Sequence, residues 1–312
     1  MEPLVEIVLP VFTIIGAGYL LGARGLLGAE SSAALNLFVY WVALPALVFR
    51  AMALVDLARV FDAGFIAGFL GPVLVVWPLS SLAARLLFRG GLAESTLHGA
   101  NAVLGNSGFM GIPLAITAWG EAAMLPAIVA TIVNTAVIPG IAIALVEIDR
   151  GRAAGLGGVL GKVGRALATN PILIAPVLGL CWAATGLPLP APAETFARIL
   201  GAAAAPCALF AIGLFLVGKP QSEGRAEIGL IVATKLVLLP ALTALSLFVL
   251  IPVDPLWAKT GLLMAALPTG AGTFVLAQAY GIYVLRTSSA ILWGTVLSVA
   301  TLTALFAAFP PG

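Results

Sequence analysis

The sequence predicts an all-α integral membrane protein: ten transmembrane helices in two inverted five-helix repeats, with helices four and nine broken near their centres. Three observations carry this. The composition comes first: of 312 residues, 62% are hydrophobic and 9% charged, and the mean hydropathy is +1.15. A soluble domain has about 25% charged residues, so this chain lacks the polar side chains to cover a surface in water. The second is ten apolar segments near the ~20 residues that a spanning helix needs. The third is a repeat. Pro10 and Pro171, Gly18 and Gly179, Pro45 and Pro206, Phe49 and Phe210, Gly111 and Gly272, and Gly120 and Gly281 all differ by 161, and Pro78 and Pro240 by 162. Five spans per half is odd, so the second half enters the membrane the other way up, as in many secondary transporters.

The expected spans run over residues 4–23, 33–54, 64–88, 95–119 and 122–146, then 170–186, 195–218, 227–251, 257–281 and 288–309. The opening MEPLVEIVLP has no basic n-region or cleavage site and reads as part of span one, not as a signal peptide. Span two carries "PALVF", which matches "PCALF" in span seven. Span three, "FIAGFLGPVLVVWPLSSL", contains no acid. Residues 1–146 form the first repeat, 147–169 a basic, Gly-rich cytoplasmic linker, and 170–312 the second repeat. Arg24, Arg85, Arg89, Arg150, Arg152, Lys162, Arg165, Lys219, Arg225 and Arg286 fall near loops on one side; Arg50, Arg59, Arg198 and Lys259 fall on the other. Ten against four makes the first side cytoplasmic and puts both termini outside. The net charge of +2 is too small to suggest nucleic acid, and Cys181 and Cys207, both in apolar runs, read as buried thiols without a disulfide.

Span four holds "GNSGFMGIPLA" from Gly105, and its repeat mate in span nine is "ALPTGAGTFVLAQAYG" from Ala266. Both are interrupted by Gly, Pro and small polar residues. Ser95–Leu104 would be a half-helix reaching, at ~1.5 Å per residue, about halfway across a ~30 Å core. Non-helical backbone at that depth must be buried in protein or line a wet cavity. Paired interruptions in corresponding spans point to a transport site. Each break frees N–H groups, near Gly108–Met110 and Ala271–Thr273, where partial positive charge can hold an anion. The expected substrate-binding residues are Asn106, Ser107, Gly108, Asn134, Thr269, Gly270 and Thr273. Gly105, Gly111, Pro113, Pro268 and Gly272 shape the breaks. Asn101 and Gln278 are further neutral hydrogen-bonding groups; Asn36 and Thr117 read as structural.

Lys235, in "IVATKLVLLPAL", is the outstanding ionisable residue inside a span. It could face an anionic substrate, bind carbonyls freed at a break as a built-in cation, or snorkel. No Asp or Glu sits at a span centre, which favours an anionic over a cationic substrate. Gly105–Gly108 also fits the G-x-S-G nucleophile motif of rhomboid-type proteases. A serine nucleophile needs an adjacent base. The one histidine, His98, would lie about 13 Å along the same helix from Ser107 and reads as interfacial, near Arg89 and Glu94. The expectation is therefore no catalytic residue, no metal site and no cofactor.

"NSGFMGIPLA" (Asn106–Ala115) resembles the crossover motif of the auxin efflux carrier family. "NPILIAPVLGL", "PCALFAIGLFL", "TKLVLLPAL", "ALPTGAGTFVLAQAYG" and "SSAILWGTVLSVATL" follow in the family's order, so the resemblance covers essentially the whole chain. It implies a fold related to the bile acid–sodium symporters, with a scaffold that is often dimeric and a crossing bundle that moves against it. It carries Asn106 over as the crossover asparagine, Gly111 and Pro113 as motif structure, Pro268 as the break in span nine, and Lys235 as the span-eight lysine. Plant members export auxin; bacterial members are associated with dicarboxylates such as malate and malonate. The linker here is far shorter than the plant loop, and the missing acid in span three speaks against sodium coupling. Together these readings predict a secondary transporter of small organic anions in the plasma membrane, with the bilayer and a homodimer as partners. The runners-up are a passive anion channel on the same scaffold and a membrane sensor without flux.

Overall fold

The computed structural model describes residues 9–57, 62–150, 155–218 and 224–310. Residues 1–8 of expected span one, with Arg59, Arg152 and Lys219 from the charge comparison, lie outside the described residues. The described residues are helical apart from short connections and one isolated pair of backbone bridges.

In chain order the helices are α1 (Leu9–Ala23), α2 (Ala29–Phe38), α3 (Leu44–Ala53), α4 (Ala63–Phe88), α5 (Leu92–Val103), α6 (Ile112–Trp119), α7 (Met124–Asp149) and α8 (Gly155–Ala168). Then come α9 (Pro171–Ala184), α10 (Ala191–Ala202), α11 (Ala204–Leu216), α12 (Arg225–Ala233), α13 (Leu239–Leu245), α14 (Pro255–Ala266), α15 (Ala271–Tyr280) and α16 (Val284–Ala308). Among the described residues, six continuous stretches are long and apolar enough to cross a membrane: Glu30–Ala53, Ala63–Phe88, Glu121–Asp149, Ala191–Leu216, Arg225–Leu250 and Val284–Ala308. Their outward faces are apolar, with Leu86, Leu250 and Phe196 about two-thirds exposed, the surface a bilayer covers and water does not. The chain is a multi-pass membrane protein.

Three of the helices are widened by π turns, and proline explains where. Val39–Ala43, Ser107–Gly111, Thr234–Leu238 and Ser246–Leu250 each end two residues before a proline: Pro45, Pro113, Pro240 and Pro252. Proline has no N–H and its ring clashes with the carbonyl four residues back. The residue before each proline bonds one position further instead, from the N–H groups of Leu44, Ile112, Leu239 and Ile251 to the carbonyls of Val39, Ser107, Thr234 and Ser246.

The helices pack in two groups. In one, α1 lies on α11, α3 on α9 and α10, and α2 on α11. In the other, α4, α5, α7, α12, α13, α14 and α16 surround the two breaks. Within the first group Gly18 of α1 faces the carbonyl of Phe210 so closely that a Cβ would overlap it, and Gly179 of α9 faces the carbonyl of Phe49 in the same way, at 2.7 Å from the position a Cβ would take.

Within residues 147–169, α7 continues to Asp149, and α8 meets α9 at a 66° bend. The bend falls where Pro171 stops a helix from continuing and the Asn170 side chain caps the next one, accepting from the Ile172 N–H at 3.0 Å. The thiols are free, but Cys181 is exposed on the apolar surface and Cys207 only half-buried.

Candidate functional site

The two interruptions lie against each other. After α5 the chain is extended through Leu104–Asn106, and after α14 through Leu267–Gly270. Gly105 and Thr269 form an antiparallel bridge. The Asn106 N–H donates to the Pro268 carbonyl at 2.9 Å, and the Gly270 N–H to the Leu104 carbonyl at 3.0 Å. Backbone groups that lost helical partners thus satisfy one another, as buried backbone must. The approach needs glycine: a Cβ on Gly270 would sit 2.7 Å from the Gly105 carbonyl oxygen.

Four helix ends converge here. α5 and α14 arrive with their C-termini, the negative ends of their dipoles; Ser107–Trp119 and α15 leave with their N-termini, the positive ends. Lys235 answers the negative ends. It is 1% exposed, and its Nζ donates to the carbonyl of Ala265 in the last turn of α14. The same Nζ lies 3.4 Å from where a Gly105 Cβ would stand. The π turn at Thr234–Leu238 is what presents it. Of the three readings the sequence leaves open, the contact is that of a cation on freed carbonyls, and snorkelling is excluded by burial.

Asn106 is buried, and its carbonyl accepts from the N–H groups of Met110 at 3.0 Å and Gly111 at 3.1 Å. Ser107 and Gly108 open the next helical segment, where N–H groups have no preceding carbonyl of that helix to reach. Gly111 packs on Leu267 and Met264, and Gly272 faces Leu104. Thr269 and Thr273 are buried, but their hydroxyls donate to the carbonyls of Asn101, at 2.9 Å, and Gly270, at 2.8 Å. Towards a ligand these threonines therefore offer oxygen lone pairs, not protons. Asn134 sits on α7, which packs on α5, α14 and the Ser107–Gly111 turn; its Oδ1 is buried with no partner among the described residues. No group of three or more metal-ligating side chains occurs among the described residues. A cavity of about 830 Å³ opens between α12 and α16, lined by Arg225, Leu236 and Trp293 among others, and none of the expected binding residues lines it.

The interfacial reading of His98 is overturned. It is fully buried, with Nδ1 3.0 Å from the Tyr283 hydroxyl and 3.5 Å from Glu227 Oε1. Arg286 Nε lies 3.0 Å from Glu227 Oε2. These partners arrive from the second half of the chain, which sequence neighbours of His98 cannot reveal. A second buried acid, Glu147, accepts from Tyr280 at 3.0 Å and pairs with Lys162 of α8.

The family model described as "Membrane transport protein" matches residues 3–154 and 156–306. The chain belongs to the auxin efflux carrier family. It is a membrane transporter, and not an enzyme. Among curated members of this family, a protein of Rhizobium meliloti (strain 1021) named "Putative malonate transporter" is 36% identical over 305 residues, 98% of this chain and 95% of that one. An "Uncharacterized transporter" of Methanothermobacter thermautotrophicus is 29% identical over 95% of both chains. "Auxin efflux carrier component 8" of Arabidopsis thaliana is 29% identical over 167 residues, 52% of this chain and 45% of that one. The membership expected from Asn106–Ala115 is thereby borne out.

Proposed function

We propose that this auxin efflux carrier family member moves small organic anions, carboxylates such as dicarboxylates or auxin-like acids, by alternating access. The observation that carries the proposal is the backbone pairing of Gly105 with Thr269. It joins two broken helices so that Lys235 neutralises their C-terminal ends while two helix N-termini keep free N–H groups. Each such N-terminus is equivalent to about half a positive charge. A carboxylate fits there, with Asn106 and the N–H groups near Ser107–Gly108 and Ala271–Gly272 as donors. The buried Oδ1 of Asn134 marks a polar wall on α7. The relative named for malonate is consistent with this class of substrate.

Ten spans in two inverted repeats are the membrane arrangement we propose, counting α5 with α6 and α14 with α15 as broken spans. The family match in two segments supports it. So do the reciprocal contacts of the first helix group: Gly18 meets Phe210, and Gly179 meets Phe49, each residue 161 positions from its counterpart. That reciprocity is what a pseudo-two-fold axis produces. In this reading α1, α2–α3, α9 and α10–α11 form a scaffold, paired with a second copy in the plasma membrane, and the broken helices move against it as a rigid body. The excess of Lys and Arg on one side sets that side in the cytoplasm and both termini outside.

The test is Asn106→Ala. The purified wild type is expected to be stabilised against heat by malonate through mass action, and Asn106→Ala to lose most of that shift and of vesicle uptake while keeping its unliganded midpoint. Unchanged uptake kinetics would remove Asn106 from the site.

A further inference from the structure

We infer that His98, Tyr283 and Glu227 form a proton-binding site, loaded from the side that carries Arg286, and that its proton travels with the anion. The transport half of this rests on the function proposed above; the binding half does not.

The hydrogen bonds fix the state of the imidazole. Tyr283 has one hydroxyl proton, and it donates to Glu227 Oε1. Burial, and then the hydrogen bond to Glu227, push the Tyr283 phenol far above its ordinary pKa, so that proton stays on the ring oxygen. The oxygen can then only accept from His98 Nδ1, 3.0 Å away. His98 is therefore the Nδ1–H tautomer, and Nε2 is a bare acceptor. That Nε2 is buried and has no partner among the described residues. One turn on along α5, Asn101 is in the same position. Its Nδ2 donates to Leu97 O at 2.8 Å and to Thr287 Oγ1 at 2.9 Å, while its Oδ1 is buried without a partner.

Two buried acceptors on adjacent turns, with no donor for either, call for an explanation, because buried polar atoms are almost always paired. A proton accounts for the bare Nε2 of His98. Added to Nε2, it converts neutral imidazole to imidazolium and breaks no other bond. Glu227, 3.5 Å from Nδ1, balances the charge. Other charged or titratable groups around His98 are Arg286 and Tyr283 beside Glu227, and Glu94 on its own helix. α4 presents only the Phe88 ring, 6.2 Å from the imidazole. From α7, Asp149 reaches the Ala93 N–H; from α15, Tyr280 is engaged with Glu147; Lys235 is held at Ala265. Arg286, 39% exposed, connects the group to the surface. At the other end, the Asn101 carbonyl accepts from the Thr269 hydroxyl, so the site is one helical turn from the break.

The sequence has a single histidine, so ¹⁵N-imidazole NMR of the full chain in nanodiscs reads this one site. In the wild type the Nδ1–H tautomer should convert to imidazolium as the pH is lowered. Glu227→Gln should weaken proton affinity about tenfold or more, because the balancing charge is gone. Tyr283→Phe, which keeps the ring, should release the tautomer to a mixture. An imidazole that stays neutral throughout, or one that titrates identically in Glu227→Gln, would overturn the site. In vesicles with malonate as probe, an inside-alkaline gradient should drive accumulation in the wild type. His98→Gln should lose accumulation yet keep downhill exchange; an unchanged gradient response in that variant would overturn the coupling. If malonate, other dicarboxylates and indole-3-acetate give neither flux nor stabilisation, the carboxylate reading fails, and the NMR titration still decides the proton site alone.

Discussion

Lys235 shows how a single residue can hold the breaks together. A buried ammonium is costly unless its charge and protons are met. Here the Ala265 carbonyl in the last turn of α14 accepts from the ammonium, and the negative helix end gains a counter-charge. Lys235→Met keeps the stem and removes the charge. It leaves the Ala265 carbonyl unsatisfied, at a cost of about 1–3 kcal/mol. Differential scanning fluorimetry should show the midpoint falling by roughly 2–6 °C, with transport lost. A midpoint equal to wild type would mean that Lys235 does not tie the breaks together. The ionisable residue in mid-span was legible because such residues stand out in an apolar run. Its partner was not, because Ala265 contributes only a backbone oxygen, which every residue has.

The same contrast holds for whole elements. The two broken helices were legible because Gly and Pro crowd at Gly105–Pro113 and Pro268–Gly272, beside the non-helical residues Leu104–Asn106 and Leu267–Gly270. The π turns were not anticipated, although the rule is visible afterwards: a proline inside a long apolar helix displaces the bond of the residue before it. α8 was missed since its glycines read as linker, and the π turn before α13 sets the orientation of Lys235 by a widening no side-chain pattern announces. His98 was misplaced for a different reason: neighbours along the chain, Arg89 and Glu94, were weighed instead of neighbours in space. The breaks themselves can be tested as elements. Gly270→Ala would put a Cβ 2.7 Å from the Gly105 carbonyl oxygen and 3.0 Å from Leu104 Cδ2, so the paired backbones must separate. Such overpacking costs typically about 1–3 kcal/mol, and transport should fall to background while the protein still inserts. Gly16→Ala is the matched control: it lies inside α1 with nothing near its Cβ position, and alanine there should be neutral or raise the midpoint slightly. Equal behaviour of the two variants would show that the backbone approach at Gly270 has no special role.

For the whole molecule, the question is whether the broken helices shift against the scaffold. The contact to watch is between Gly108, at the start of the second half of the broken helix, and Leu44 of α3. Leu44 Cδ1 lies 3.3 Å from where a Gly108 Cβ would be, so the Leu44 side chain packs against the Gly108 backbone in this conformation. α11 also packs on the Ser107–Gly111 turn, so α3 and α11, both in the proposed scaffold, touch the segment proposed to move. Rigid-body alternating access requires these contacts to slide; a channel that gates by side chains alone does not. With Cys181 and Cys207 replaced, Leu44→Cys with Gly108→Cys gives a pair that a mercuric ion or a short bifunctional maleimide can bridge. Each single variant reports separately on the cost of altering the site. Bridging should stop uptake in the double variant beyond the loss seen in either single one, and removing mercury with a thiol should restore it. Uptake that continues in fully bridged protein would mean that α3 and the Ser107–Gly111 turn stay together throughout the cycle, and that transport here does not depend on sliding the breaks past the scaffold.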